Sequence, residues 1–181
     1  MEQMTVEEKI GQLTQFPASF YTKHKSEVTG PIDALGITVE QLKISGSLLG
    51  TMYARDVIEI QDSHMESDRN KIPLIFMRDV IHGFRTIYPI PLAMAGSFDE
   101  DLMEECARMA AEEASAGGIQ VNFSPMVDYA RDARWGRVME THGEDPYLSG
   151  VFGAASVRGY RGDGDLAKDG NIASCVKHFA A

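Results

Sequence analysis

Charged residues sit where an apolar chain would not place them by default. The stretch "RDARWGRVMETHGEDPYL", residues 131–148, gathers three arginines, the only tryptophan and several carboxylates. A core does not tolerate such charges unless they are paired or hold a ligand. Three further polar points follow apolar runs: Arg78-Asp79 after "KIPLIFM", Asp128 after "IQVNFSPMV", and Lys177-His178 after "NIASCV". Carboxylates accept hydrogen bonds, and Arg and Lys only donate them. Together they suit a neutral, many-hydroxyl ligand or an anion.

Each point also has a plain structural reading. Asp79 alone reads as a turn cap or as a partner of Arg78 or Arg85, and His82 as a hydrogen-bonded packing residue. Adjacent strand residues face opposite ways, so Lys177 and His178 serve one ligand only where the strand bends or stops. Within the long stretch, Arg131, Asp132, Glu140 and Glu144 read as scaffold, since ordering a loop costs entropy that contacts must offset. Trp135 is expected to pack on the Arg137 guanidinium and aim it.

The elements that would carry these residues alternate. Thr5 and Glu8 have capping-box spacing ahead of Val6, Ile10 and Leu13. Residues 16–36 read as an irregular connection. Strands are expected in 44–50, 71–79, 119–128 and 171–181, and a helix over about 54–69. A second helix is expected over about 98–116, boxed by Ser97 and Glu100, facing inward with Leu102, Cys106, Met109 and Ala110, and stopped by Gly117 and Gly118. A third starts at Asp145-Pro146, turns Leu148, Val151, Phe152 and Ala155 inward, and stops near Gly159. Apolar strands alternating with helices predict an α/β fold with a parallel sheet. Both a (β/α)8 barrel and an open doubly wound sheet would bring the charged strand tips to one edge.

Composition narrows the chemistry. The 181 residues carry a net charge of -10 and no basic stripe, which argues against nucleic acid as a partner. Nothing reads as a membrane span or a signal peptide, so a cytoplasmic location is expected. Cys106 and Cys175 match no metal or disulfide spacing and read as buried apolar residues. There is no G-x-S-x-G, no phosphate-cradling glycine loop and no H-E-x-x-H, so a serine hydrolase, a nucleotide binder and a zinc site have no support.

Taken in order, "DVIHGFRTIYPIPLA", "SPMVDYARDARWGRVMETHGEDPYL" and "VKHFAA" closely resemble the N-terminal domain of glycoside hydrolase family 3, in its β-glucosidase branch. "MTVEEKIGQL" and "GSLLG" resemble the family's start. The resemblance implies a TIM (β/α)8-type barrel, of which residues 1–181 cover about the first four β/α units, with later strands and a C-terminal domain beyond them. It implies an exo-acting retaining β-glucosidase that removes terminal β-linked glucose from a glucoside or oligosaccharide, without metal or cofactor. Asp79 would accept bonds from sugar hydroxyls, and Arg85, Arg137, Lys177 and His178 would donate to the same ring. The nucleophile and acid/base would lie past residue 181, so these 181 residues alone are expected to be inactive, poorly stable and prone to pair through open sheet edges. A β-xylosidase or other family 3 exo-glycosidase remains open, as does an inactive carbohydrate-binding half-barrel. Neither oligomeric state nor linkage is specified. Ala133, His142 and Phe98 depart from the residues usual in the family, which are Pro, an aromatic and Trp.

Overall fold

The computed structural model describes residues 3–21 and 35–179. The chain folds as two compact units, Met1–Arg78 and Asp79–Ala181. Parallel strands alternate with helices, as expected of the α/β barrel class.

In the first unit, helix α1 (Val6–Gly11) forms the expected capping box: Thr5 Oγ1 accepts from Glu8 N–H, and Glu8 Oε2 accepts from Thr5 N–H. Its apolar residues do not face inward. Val6, Ile10 and Leu13 are exposed, while Glu8 and Gly11 are buried. Two contacts set this orientation. Arg69 grips Glu8 with bonds of 2.6 and 2.7 Å, holding its carboxyl down at about 2. Gly11 lies on Ile44, where a Cβ would stand 2.4 Å from the carbonyl oxygen.

A strand the sequence reading missed follows directly. β1 (Gln15–Pro17) pairs in parallel with β2 (Ser47–Leu49), and β2 with β3 (Ile75–Arg78). Three residues containing a proline carry too little alternation to read as a strand, so residues 16–36 passed for a connection. Residues 22–34 of that connection lie outside the described residues. The register aligns Phe16, Leu48 and Phe76, and the last two are fully buried. Helix α2 (Val39–Lys43) precedes β2, and α3 (Ala54–Ser67) spans the expected helical stretch. Gln61 of α3 bonds both the N–H and the carbonyl of Leu74, fixing the approach to β3.

The second unit holds α4 (Pro91–Ala95), α5 (Glu100–Ala116), β4 (Val121–Asn122), α6 (Pro146–Arg161) and β5 (Ala173–Ser174). β4 and β5 pair in parallel. The Ser97–Glu100 box does not form. Ser97 Oγ is spent on the Met94 carbonyl closing α4, and Asp99 caps α5 through Leu102 N–H. The inward face of α5 is its small one, Ala107, Ala110, Ala111 and Ala114 with Met103 and Cys106; Leu102 and Met109 are exposed. Small side chains let α6 approach closely. Gly159 is therefore not a stop: a Cβ there would lie 2.3 Å from the Glu104 carbonyl oxygen. α6 continues to Arg161 and ends at Gly162, with φ +59°. Asp145 caps α6 as expected, accepting from Tyr147 and Leu148 N–H.

Met94, Met103, Cys106, Phe152 and Ala155 make the core between these helices, with Leu148 and Val151 packed against it. Cys106 is buried as expected, but Cys175 is exposed. It follows β5, which among the described residues has a partner strand on one side alone.

Candidate functional site

Asp79 opens the second unit, and buried groups clamp the chain behind it. Asn122, fully buried, accepts from Val80 N–H at 2.7 Å and donates to the Val80 carbonyl at 3.2 Å. The Tyr160 hydroxyl donates to that carbonyl at 2.7 Å. An Asn that satisfies both main-chain groups of one residue removes that residue's freedom to shift. The Asp79 Oδ1 accepts from Lys177 Nζ at 2.5 Å. Arg78 donates to the carbonyls of Gly50 and Thr51.

β5 ends at Ser174, and pairing resumes at a single parallel bridge between Met126 and Lys177. Lys177 N–H donates to the Pro125 carbonyl, and the Lys177 carbonyl accepts from Val127 N–H. The Ser124–Pro125 and Lys177–His178 peptides are both cis. Lys177 then reaches Asp79 while His178 reaches Asp128, whose Oδ2 accepts from the His178 main-chain N–H at 3.0 Å and from ring Nδ1 at 2.9 Å.

The third tip is the long loop. Arg137 is aimed by Glu140, three residues on: Nε and Nη2 donate to Oε1 and Oε2 at 2.7 Å each. The expected Trp135 platform is replaced by this fork, because a bidentate carboxylate fixes a guanidinium plane more strongly than an aromatic face does. The bonds from Arg137 hold the Glu140 carboxyl below its ordinary value, with Lys177 and His178 adding to the effect. Arg137 Nη1 then meets His178 Nε2 at 3.3 Å. The fields of Asp128 and Asp79 both reach Arg137. The rest of the loop is scaffold as expected: Arg134 pairs with Asp132, and Arg131 stacks on the Tyr129 ring, 5.1 Å from its centroid, and donates to its hydroxyl.

Asp79, Arg137, Lys177 and His178 thus form one network. Arg85 is placed differently. Its main-chain N–H and that of Thr86 donate to Glu113 Oε2 on α5, and the Glu113 carboxyl is held low chiefly by Thr86, with the Arg85 charge helping. His82 packs as expected, with Nδ1 on the Tyr88 carbonyl at 2.9 Å. Asn122 is the site residue that sequence reasoning passes over; Glu140, read as scaffold, braces Arg137, and Asp128 reads as a polar strand tip with no role assigned. Asp128 had a signal, as an acid ending an apolar strand. Asn122 had none, because its partner Val80 lies 42 residues away.

The arrangement offers acceptors and donors side by side, with each charge already paired, so a neutral polyol could exchange with these pairs without leaving an ion alone. Among the described residues no group of His, Cys, Asp and Glu could hold a metal, and no helix is long and apolar enough to cross a membrane.

Residues 5–181 match the family model described as the glycosyl hydrolase family 3 N terminal domain. The chain is 37% identical over 181 residues to a periplasmic beta-glucosidase of Salmonella typhimurium, covering all of this chain and 22% of that protein. Over 103 residues, 53% of this chain and 13% of the relative, it is 40% identical to beta-D-xylosidase 1 of Arabidopsis thaliana. A beta-glucosidase from Listeria innocua solved with laminaribiose superimposes with a TM-score of 0.92 at 45% identity, covering 98% of this chain and 25% of that one. The chain therefore spans about a quarter of the length of such relatives. With this match over nearly every residue, and the strand-tip network seated on a parallel α/β frame, the chain belongs to glycoside hydrolase family 3 as part of its N-terminal domain.

Proposed function

We propose that residues 1–181 are the first half of the catalytic barrel of an exo-acting, retaining β-glucosidase. Asp79, Arg85, Arg137, Lys177 and His178 bind the non-reducing-end glucosyl ring. The observation that carries this is the Asp79–Lys177 pair, formed across 98 residues at the tips of two strands. The Lys177 side chain is only 14% exposed, yet Asp79 is 46% exposed. The carboxylate is thus held by a partly buried cation while remaining open to a ligand. Sugar hydroxyls both donate and accept, so Asp79 takes their protons while Lys177 and Arg137 supply donors to their oxygens. Arg85 is assigned to the C6 arm of the sugar on the family resemblance, which favours a hexose.

The two carboxylates of a retaining glycosidase, about 5 to 5.5 Å apart, come from chain beyond residue 181. No acid in this half takes either role. The substrate is a β-linked glucoside or oligosaccharide, supported by a Listeria innocua relative solved with glucose, 45% identical over 98% of this chain with a TM-score of 0.91. Compartment is separate from this chemistry. Relatives are named periplasmic and lysosomal, and fractionation of the source cells tests the cytoplasmic expectation.

The test is turnover of aryl β-D-glucoside and β-D-xyloside by the full-length protein, with the released anomer followed by NMR. Preference for the glucoside with retained configuration is expected. Xyloside preference would move the pocket to a pentose. No turnover of either, with sugar binding kept, would make the chain a binding half-barrel.

A further inference from the structure

We propose that Asp128 is a positioning residue that, acting through His178, aims the Arg137 guanidinium at the hydroxyls of a bound ligand; this rests on the glycosidase reading above. The Asp128 side chain is 4% exposed. One of its oxygens accepts both the main-chain N–H and the ring Nδ1 of His178. A carboxylate has no proton to give, so Nδ1 carries the hydrogen, and in the neutral ring Nε2 is left as a lone pair. That lone pair is what Arg137 Nη1 meets at 3.3 Å. Every link then points the same way: Arg137 donates to His178, which donates to Asp128. The other tautomer would set N–H against N–H at Arg137 and a bare nitrogen against the carboxylate.

The consequence falls on Arg137. A guanidinium has five N–H donors in a fixed plane. Glu140 takes one each from Nε and Nη2, and His178 takes one from Nη1. One N–H on each terminal nitrogen is left over, a pair of neighbouring donors suited to two neighbouring hydroxyls. Glu140 alone fixes the plane of the fork from one side. His178 fixes the opposite side, and Asp128 is what makes His178 an acceptor there. Asp128 touches no ligand in this scheme.

The test is a double-mutant cycle in the full-length protein, with D128A, H178A and the pair assayed on an aryl β-D-glucoside. D128A is expected to raise KM about tenfold while changing kcat less than about threefold, a loss of binding more than of chemistry. In the H178A background the ring route is gone and the main-chain N–H of residue 178 is the bond left to Asp128, so D128A should move KM by less than about twofold. D128N keeps an oxygen that accepts both bonds at neutral strength. Its KM effect should be smaller, about threefold, and should vanish in the same background. It carries the cycle if D128A does not accumulate as folded protein. A KM effect that survives H178A, or wild-type KM in D128A, overturns the proposal. Crystal structures of these variants decide independently of turnover. Arg137 rotated off His178 supports the positioning role, and Arg137 unmoved sinks it. Absence of turnover in the wild type would instead count against the glycosidase reading.

Discussion

Arg134 and Arg137 lie three residues apart on one loop, and each forms a fork with a nearby acid. The Arg134–Asp132 side chains are 90% and 49% exposed, and the Arg137–Glu140 side chains 42% and 18%. In both pairs the arginine is shifted up and the acid down by its partner. The direction of titration therefore does not separate them. What separates them is reach. Asp132 and Arg134 bond to each other and to the loop's own backbone. Arg137 is tied in addition to His178, 41 residues away. An exposed fork exchanges one screened attraction for the entropy of two side chains. A fork with a third, distant anchor fixes a direction in space, which is what binding requires. The same residue types thus do different work according to whether a long-range contact exists.

The largest expected effect breaks that contact. R137A removes the remaining donors of the guanidinium and leaves Glu140 without its partner. Loss of charge-assisted bonds to a ligand costs about 3 kcal/mol, or about 100-fold in kcat/KM. Steady-state kinetics of the full-length variant on an aryl β-D-glucoside checks this. A loss below about fivefold would mean that the loop only braces the fold and that the contrast with Arg134 is empty.

Legibility follows the same line between local and distant. Caps set by neighbouring residues were readable: Thr5 with Glu8, and Asp145 before Pro146, form as expected. Ser97 was misread because its hydroxyl had a competing local partner in the Met94 carbonyl. Gly159 was misread because its role depends on Glu104 and Ala107 of another helix. β1 was invisible because a three-residue strand gets its identity from Ser47–Leu49, not from its own pattern. At the site, the residue types that meet were legible from the motifs. The bonds were not: Lys177 to Asp79, Asn122 to Val80 and Asp128 to His178 span 98, 42 and 50 residues. No periodicity encodes such separations.

A second prediction concerns the point where the loop turns inward. His142 is 3% exposed, its ring lies 6.0 Å from that of Phe152, and burial lowers its pKa to about 4. The stacking on Phe152 explains how an imidazole fills this buried place. Above about pH 6.5 the ring is neutral folded or unfolded and contributes nothing to pH dependence. As pH falls from there toward 4, the unfolded chain takes a proton that the folded chain refuses, so stability falls with pH across that window. The loss attributable to His142 is about 2 kcal/mol at pH 5. H142F keeps the packing and removes the titration. Its denaturant midpoints at pH 7 and pH 5 should differ by correspondingly less than the wild type's. Equal acid sensitivity in both would mean that His142 is not the group responsible.

The smallest effect is the sharpest control on the opening contrast. In R134A the turn at Asp132 should persist, because Asp132 Oδ1 also accepts from the main-chain N–H of residue 134 at 2.9 Å, a donor that no side-chain substitution removes. What is lost is an exposed ion pair that contributes little, and that remnant should fade further in high salt. Kinetics should therefore stay within about twofold of wild type, with a melting temperature barely moved. If R134A instead lost as much activity as R137A, the loop would be acting as one ordered body. The line between them would then fall not at the His178 contact but at the loop's own ends, with Asp132 and Arg134 part of the machinery that sets the direction of Arg137.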